Sequence, residues 1–179
     1  IVDHFVEKGF LNITVDFVQK DDPSRPNNII LTIDVDKKDK VKIAEIKFVG
    51  NDNFDTKQLR RKMKNTKKKN FNFFKASKYI DKKYQEDKES LYTFYNDNGF
   101  KDFKILKDSL YPVSDKRVGL LIKVSEGKLY FLRNVDWVGN SVYKKEDLAK
   151  VFNIDKGSVY NQSHISDRLN GSKGAQDAV

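Results

Sequence analysis

The sequence predicts an α+β fold built from tandem modules of about 90 residues. The first observation is a repeat, in which Leu31–Leu59 aligns without a gap on Leu120–Leu148 at an offset of 89 residues. The second is a change of apolar spacing within each copy, from the alternation of a strand to the three- and four-residue steps of a helix. A fixed period of this kind indicates that each copy is one structural unit.

The repeat divides the chain into one whole module and parts of two others. Residues 41–128 are expected to form the complete module, since they hold one full period. Residues 1–40 are expected to be the C-terminal part of a preceding module, and residues 129–179 the N-terminal part of a following one.

The first 40 residues read as the end of a helix followed by a β-hairpin. Ile1–Lys8 is predicted to be helical, and Gly9 provides the left-handed residue that often ends a helix. Apolar residues then alternate with polar ones at positions 11–17 and again at 29–35, on either side of a loop rich in turn formers. Two such runs around one short loop predict an antiparallel pair.

The complete module has the predicted order strand, helix, helix, strand, strand. Its first strand, at 41–49, carries apolar residues on both parities, which indicates two partly covered faces or a bulge. Asp52 or Asp55 is expected to cap a helix that buries Leu59 and Met63.

A long second helix is predicted from about Ser77 to Asn98, after a loop with Phe71, Phe73 and Phe74. Its apolar stripe is Ile80, Tyr84, Leu91, Phe94 and Tyr95. Strands are then predicted at 101–111 and 118–124, with a turn at Pro112 and Ser114-Asp115. The third copy is expected to begin with a strand from Leu129 to Val138, followed by a helix with Leu148, Val151 and Phe152. Residues 170–174 are then either a flexible junction or the start of that copy's long helix.

The residues that carry enzyme chemistry form no recognisable set in this chain. There is no Cys, and the two histidines, His4 and His164, fall at unmatched positions of the repeat, so no metal site is expected. No Ser lies in a nucleophile motif, and neither a P-loop nor a dinucleotide-binding glycine pattern is present. We therefore expect no catalysis and no cofactor.

A run of basic residues is the strongest charged feature. Seven of them fall within ten positions: Arg60, Arg61, Lys62, Lys64, Lys67, Lys68 and Lys69. A solvated helix end explains such a run, because cations favour a helix C-terminus. An anionic lipid surface or an acidic partner is the sharper alternative. Nucleic acid is a third, disfavoured because the next copy has no matching basic and aromatic run.

The second candidate site is the strand predicted at 101–111. If the returning strand pairs with the first strand of the module, this segment is left at an edge of the sheet. An edge can accept an extended partner chain by β-augmentation. The residues assigned to this binding edge are Lys101, Phe103, Lys104, Ile105, Lys107 and Tyr111. Its lysines either guard the edge against aggregation or dock a client strand, and the sequence leaves both open.

The motifs together resemble those of the POTRA (polypeptide-transport-associated) family, in the form found in outer-membrane protein assembly factors. They are the segments Ile46–Phe54, Asn70–Phe74 and Tyr84–Phe100, together with Val124–Tyr130, Trp137–Asn140 and Ile154–Asn161. The resemblance implies a three-stranded mixed sheet covered by two helices on one face in each module. The complete module is most similar to the third of such an array.

The resemblance also implies a function. It implies a periplasmic arm of an outer-membrane β-barrel assembly factor that binds unfolded outer-membrane proteins and accessory assembly lipoproteins. The basic run, and not the resemblance, suggests an anionic lipid surface as a further contact. The arm is expected to be monomeric or to self-associate weakly through its edge strands. The alternatives are the POTRA region of a two-partner secretion transporter and a nucleic-acid-binding module.

Overall fold

The computed structural model describes residues 1–67 and 78–170. Short helices and strands follow one another along the chain in this order: α1 (Val2–Glu7), β1 (Thr14–Asp21), β2 (Ile29–Asp36), β3 (Lys42–Val49), α2 (Thr56–Lys62), α3 (Asp81–Asp97), β4 (Lys104–Ser114), β5 (Arg117–Ser125), α4 (Lys145–Phe152) and α5 (Gln162–Asn170). The predicted α+β class is confirmed, and so is the order strand, helix, helix, strand, strand from β3 to β5.

The strands form two sheets. The hairpin β1–β2 is antiparallel, with Val15 opposite Val35 and Phe17 opposite Ile33. The strands of the complete module form a three-stranded mixed sheet in the order β3-β5-β4, so the last strand along the chain lies in the centre. Leu120, Ile122 and Val124 of this central strand are at most 3% exposed, because the centre of a sheet is the best-covered position.

The first helix of the complete module begins with a capping box. The Asp55 carboxylate accepts a hydrogen bond from the Gln58 N–H at 2.7 Å, and the Gln58 side chain accepts one from the Asp55 N–H at 2.9 Å. These two bonds satisfy N–H groups that the helix itself leaves without partners. Of the two candidate caps, Asp55 therefore serves, and the helix buries Leu59 completely.

The two Gly-Phe pairs end their helices in the same way. The Phe10 N–H donates to the Phe5 carbonyl at 3.0 Å, and the Phe100 N–H donates to the Tyr95 carbonyl at 2.9 Å. Gly9 and Gly99, each with a φ of +90°, make the left-handed turn between them, which is the Schellman motif. In both copies the two aromatic rings that flank the turn are also in contact.

The chain divides into two compact units. One comprises Ile1–Lys47, Met63–Lys88 and Asp108–Ile122, and the other Phe48–Lys62, Glu89–Lys107 and Lys123–Val179. Within the first unit Ile43, Met63 and Tyr84 are buried, and within the second Leu59, Leu91 and Tyr95. The two units do not coincide with the three predicted modules, and the module boundaries at 40/41 and 128/129 stay a prediction.

The third copy differs most from its prediction. The strand expected from Leu129 to Val138 is wrong, since only Phe131 forms a bridge there, with Val159. A strand needs a partner for its N–H and C=O groups. In the part of the chain that the structure describes, residues 133–138 belong to no strand. The helix containing Leu148 and Phe152 is confirmed as α4, but Val151 on it is 74% exposed.

Three further differences concern element ends. The long helix begins at Asp81, and Lys78 before it forms a bridge with Lys42 instead. β4 continues through Pro112 to Ser114, so the predicted turn at Pro112 is wrong and Asp115-Lys116 makes the turn. Asn170 ends α5, while the loop with Phe71, Phe73 and Phe74 and the rest of the junction at 171–174 lie outside the described residues.

Candidate binding surface

β4 lies at an edge of the three-stranded sheet. Its one neighbour among the described strands is β5, and β3 lies on the far side of β5. Pro112 stands inside β4 and leaves one backbone nitrogen of the strand without an N–H to donate. The sheet order therefore gives β4 the edge position that the sequence predicts for this segment, whereas binding at it stays a prediction.

The strand starts later than predicted, and this changes which side chains it offers. Lys101 lies in a turn before β4, and Phe103 is only 3% exposed. The Phe103 ring stacks on Tyr95 at 3.8 Å between centroids, with 8° between the ring planes. Phe103, which was assigned to the binding edge, therefore offers no apolar contact to a partner, because its ring belongs to the core.

The remaining predicted residues lie on β4 itself. Lys104 and Lys107 are exposed, and Ile105 and Tyr111 are half-buried. Two apolar side chains that the sequence analysis did not assign to the edge are more exposed than Ile105 and Tyr111. Leu106 is 55% exposed and Val113 is 47% exposed. Both lie in the same alternating run, so counting apolar residues on both parities would have found them.

One hydrogen bond indicates which backbone groups of β4 point away from β5. The Ile105 N–H donates to the Tyr92 hydroxyl oxygen of α3 at 3.3 Å. Because backbone N–H groups alternate in direction along a strand, we infer that those of Lys107, Ser109 and Tyr111 point to the same outer side.

Tyr111 ties the strands together on one face of the sheet. A Cβ atom on Gly119 of β5 would lie 2.1 Å from the Tyr111 ring, so the ring occupies the space that glycine leaves free. Its hydroxyl donates to the Glu45 carboxylate of β3 at 2.8 Å, and the Lys47 ammonium lies 3.0 Å from that carboxylate. An aromatic ring over a glycine in this way stiffens a sheet, and it makes Tyr111 structural as well as accessible.

The edge strand is anchored to the second helix by Asp108. This carboxylate accepts a hydrogen bond from the Tyr84 hydroxyl at 2.9 Å and lies 3.1 Å from the Lys88 ammonium. Burial raises the pKa of the Tyr84 hydroxyl well above its ordinary value, and the hydrogen bond to Asp108 raises it further. The neutral hydroxyl is thus kept as a donor, so β4 is held firmly on its helix side.

A second tyrosine–carboxylate pair holds the end of the central strand. The Tyr95 hydroxyl donates to Glu126 at 2.8 Å, and the other carboxylate oxygen of Glu126 accepts the Asn53 N–H at 2.9 Å. Glu126 is 6% exposed, and a buried carboxylate needs such donors. Burial, followed by the hydrogen bond to Glu126, raises the pKa of Tyr95.

The basic run is only partly described. Arg60, Arg61 and Lys62 form the last turn of α2, where cations favour the helix dipole. The Lys62 ammonium lies 4.6 Å from the centroid of the Phe94 ring, a cation–π contact. Lys64 and Lys67 are exposed after the helix, while Lys68 and Lys69 lie outside the described residues. Binding of lipid or of an acidic partner by this run stays a prediction.

Residues 1–67 and 78–170 offer neither a metal site nor a membrane-spanning helix. No group of His, Cys, Asp or Glu there is placed to hold a metal ion. Over the same ranges no helix combines the length and the apolar character needed to span a bilayer.

Comparison with known proteins identifies relatives for the whole chain. BamA of Neisseria meningitidis serogroup B, an outer membrane protein assembly factor, is 25% identical over 167 residues, which are 92% of this chain and 21% of the relative. The BamA of Buchnera aphidicola is 28% identical over 144 residues, 79% of this chain and 23% of the relative. The chain thus spans about a fifth of the length of the curated relatives it matches.

The fold has a counterpart among crystal structures. POTRA domains 3–5 of Haemophilus influenzae BamA superpose with a TM-score of 0.55 and 13% identity, covering 94% of this chain and 65% of that one. The family model named POTRA, described as a surface antigen variable number repeat, matches residues 41–127 and 130–174. Since these two matches cover most of the sequence, one after the other, the chain belongs to the POTRA family.

Proposed function

We propose that this chain is part of the periplasmic arm of an outer-membrane protein assembly factor. The arm serves as a scaffold on which unfolded outer-membrane proteins and accessory subunits dock, without catalysis. Support comes from the tandem POTRA matches and from relatives that are named outer membrane protein assembly factors. The observation that carries the proposal is the edge strand β4, which has a single strand neighbour among the described strands.

The docking mechanism is β-augmentation at β4. An extended client segment adds next to the strand and accepts hydrogen bonds from its outward N–H groups. Main-chain bonds carry little sequence preference, which suits a scaffold that receives many different clients. Leu106 and Val113, both exposed, add modest apolar contact, while Lys104 and Lys107 limit pairing between two copies of the chain.

The test compares two substitutions at Ser109, a position where we infer that the N–H points outward. Ser109→Pro removes that N–H, and Ser109→Ala removes only the side-chain hydroxyl. The probe is a peptide of about ten residues with alternating apolar and polar side chains, the length of a membrane-spanning strand. Binding is followed by chemical-shift changes of the β4 amides.

We expect Ser109→Ala to bind the peptide as the parent protein does and Ser109→Pro to bind about tenfold more weakly or not at all. Circular dichroism and the dispersion of the amide spectrum establish that both variants are folded. A folded Ser109→Pro variant with unchanged affinity would rule out augmentation at this edge.

A further inference from the structure

A cleft lined by lysines lies where the hairpin β1–β2 continues into the complete module. Its volume is about 470 Å³, and the described residues that line it are Phe10, Lys37, Lys38, Asp39, Lys40, Lys42, Lys78 and Lys116. Six of these eight side chains are cationic. None of these lining residues belongs to the binding edge predicted on β4 or to the basic run at 60–69, so neither accounts for the charge of the cleft.

Two of the six lysines form ion pairs with carboxylates at residues 36 and 39. Lys38 forms an ion pair with Asp36, and Lys116 lies 2.7 Å from the Asp39 carboxylate. Among the described residues, the other four, Lys37, Lys40, Lys42 and Lys78, form no ion pair. The cleft therefore holds an excess of about four positive charges. These ammonium groups repel one another, and a bound anion would offset the repulsion.

The second copy of the repeat shows that the fold does not need these lysines. The matching bridges Lys42–Lys78 and Phe131–Val159 align the two junctions. At the offset of 89 residues, Lys37 is replaced by Glu126 and Lys40 by Leu129. The second junction thus has Glu126, Leu129, Phe131 and Val159 at the four positions where the first has lysines. Both junctions nevertheless have the same backbone bridge.

The aromatic wall of the cleft gathers part of this charge. The Lys40 ammonium lies 4.7 Å from the centre of the Phe10 ring and the Lys37 ammonium 5.8 Å from it. Contacts with the ring face hold both ammonium groups beside one apolar surface. A ligand that enters therefore meets paired cations and a ring that can pack against an aliphatic stem.

We propose that this cleft binds an acidic segment of a partner protein. The cations line a concave space, which a narrow peptide can enter and a flat bilayer surface reaches less well. The excess charge is spread over four side chains, which suits several carboxylates better than a single phosphate. A second copy of this chain is disfavoured as the occupant, because its own net charge is +9. Lysines bind carboxylates as point charges, so the segment is recognised by charge density more than by sequence.

The experiment measures the fluorescence anisotropy of a labelled Glu-rich peptide, about eight residues long, as the whole 179-residue chain is added. The cleft variant replaces Lys37, Lys40, Lys42 and Lys78 by Gln. The matched control replaces four exposed lysines elsewhere by Gln. These are Lys83, Lys128, Lys145 and Lys156. Both variants lose the same net charge, so only the position of the charge differs. A third variant with Arg at the four cleft positions restores the charge.

We expect the cleft variant to bind the peptide about tenfold more weakly, the control about as tightly as the parent, and the Arg variant to recover binding. Amide shifts on titration should centre on residues 37–42 and 78. Equal losses in the cleft and control variants would overturn the proposal, because binding would then follow net charge alone.

Two further probes separate the chemistry of the ligand. Vesicles of phosphatidylcholine with about a third phosphatidylglycerol present lipid phosphate, and inorganic phosphate presents the free ion. Cleft-dependent binding of either probe in preference to the peptide would overturn the choice of an acidic protein segment. The Ser109→Pro variant should bind the acidic peptide normally, so this proposal and β-augmentation can fail independently.

Discussion

Buried tyrosine hydroxyls join the long helix α3 to the strands around it. Tyr84 and Tyr95 lie on the apolar stripe predicted from the sequence, and both are confirmed as core residues, at 2% and 0% exposed. What the spacing of apolar residues could not predict is that each hydroxyl meets a carboxylate far along the chain, Asp108 and Glu126. Pairs of this kind depend on how strands are ordered in the sheet, and periodicity carries no information on that order.

The Tyr95 hydroxyl has a measurable share in stability. Tyr95→Phe removes the donor to one oxygen of the buried Glu126 carboxylate and leaves the ring stacking in place. We expect a loss of about 1.5–3 kcal/mol in the free energy of unfolding, the usual range for a hydrogen bond to a charged group. Urea denaturation measures it. Tyr143→Phe, at a tyrosine that is 66% exposed, is the control and should change little; equal effects in the two variants would contradict the role given to Glu126.

The loop after α2 is held by one buried carboxylate on α3. Asp87 is fully buried, and it accepts the Asn65 N–H at 3.1 Å and the Thr66 N–H at 2.5 Å. It stands three residues from Tyr84, on the core side of the helix, where the sequence pattern predicts only apolar residues. A polar residue in that stripe signals a buried partner, but which loop provides the partner cannot be read from spacing.

Asp87→Asn should loosen this loop. An amide presents one acceptor oxygen and an NH₂ group, so at least one of the two loop N–H groups loses its partner. We expect a loss of about 1–3 kcal/mol in the free energy of unfolding, together with faster amide exchange at Asn65 and Thr66. The control is Glu89→Gln, at an exposed position of the same helix. Unchanged exchange at the two amides in a folded variant would show that Asp87 does not hold the loop.

At the scale of whole elements, the sequence predicts that a helix or strand is present better than it predicts where that helix or strand begins and ends. A cap at one of the two candidate aspartates, the two Gly-Phe helix ends and the strand at 118–124 follow from local chemistry and are found as expected. The second helix of the third copy, α5, begins at Gln162, earlier than the repeat predicts, because the loop before it is shorter than in the complete module. Tyr160 and Gln162 repeat the contact of Tyr79 with Asp81, but at an offset of 81 residues instead of 89.

Across the whole molecule, the same backbone connection recurs at both of the predicted module junctions. The Tyr79 N–H donates to the Val41 carbonyl at 3.2 Å, and the Tyr160 N–H donates to the Tyr130 carbonyl at 3.0 Å. In each case the glycine that ends the preceding helix lies against this connection, Gly9 at Tyr79 and Gly99 at Tyr130. The recurring glycines therefore serve two purposes at once, the left-handed turn and close packing against the segment that makes this connection.

Gly9→Ala separates these two purposes when it is compared with Gly139→Ala. Both glycines have a positive φ, +90° and +80°, so an alanine costs about 1–2 kcal/mol at either position from the backbone alone. At Gly139 no atom lies within 4 Å of the added Cβ, whereas at Gly9 the Tyr79 carbonyl oxygen lies 2.3 Å from it. That oxygen is part of the backbone that is held on Val41, so it cannot turn aside as a side chain can.

We therefore expect Gly9→Ala to be more destabilising than Gly139→Ala by at least about 1 kcal/mol in urea denaturation, since overpacking adds to the backbone cost. Amide exchange should accelerate at Phe10 and Tyr79 in the first variant only, because the clash forces the helix end away from the connection. Equal destabilisation of the two variants, with exchange at Tyr79 unchanged, would mean that Gly9 is required only for its turn and that the contact with the next module contributes nothing to the junction.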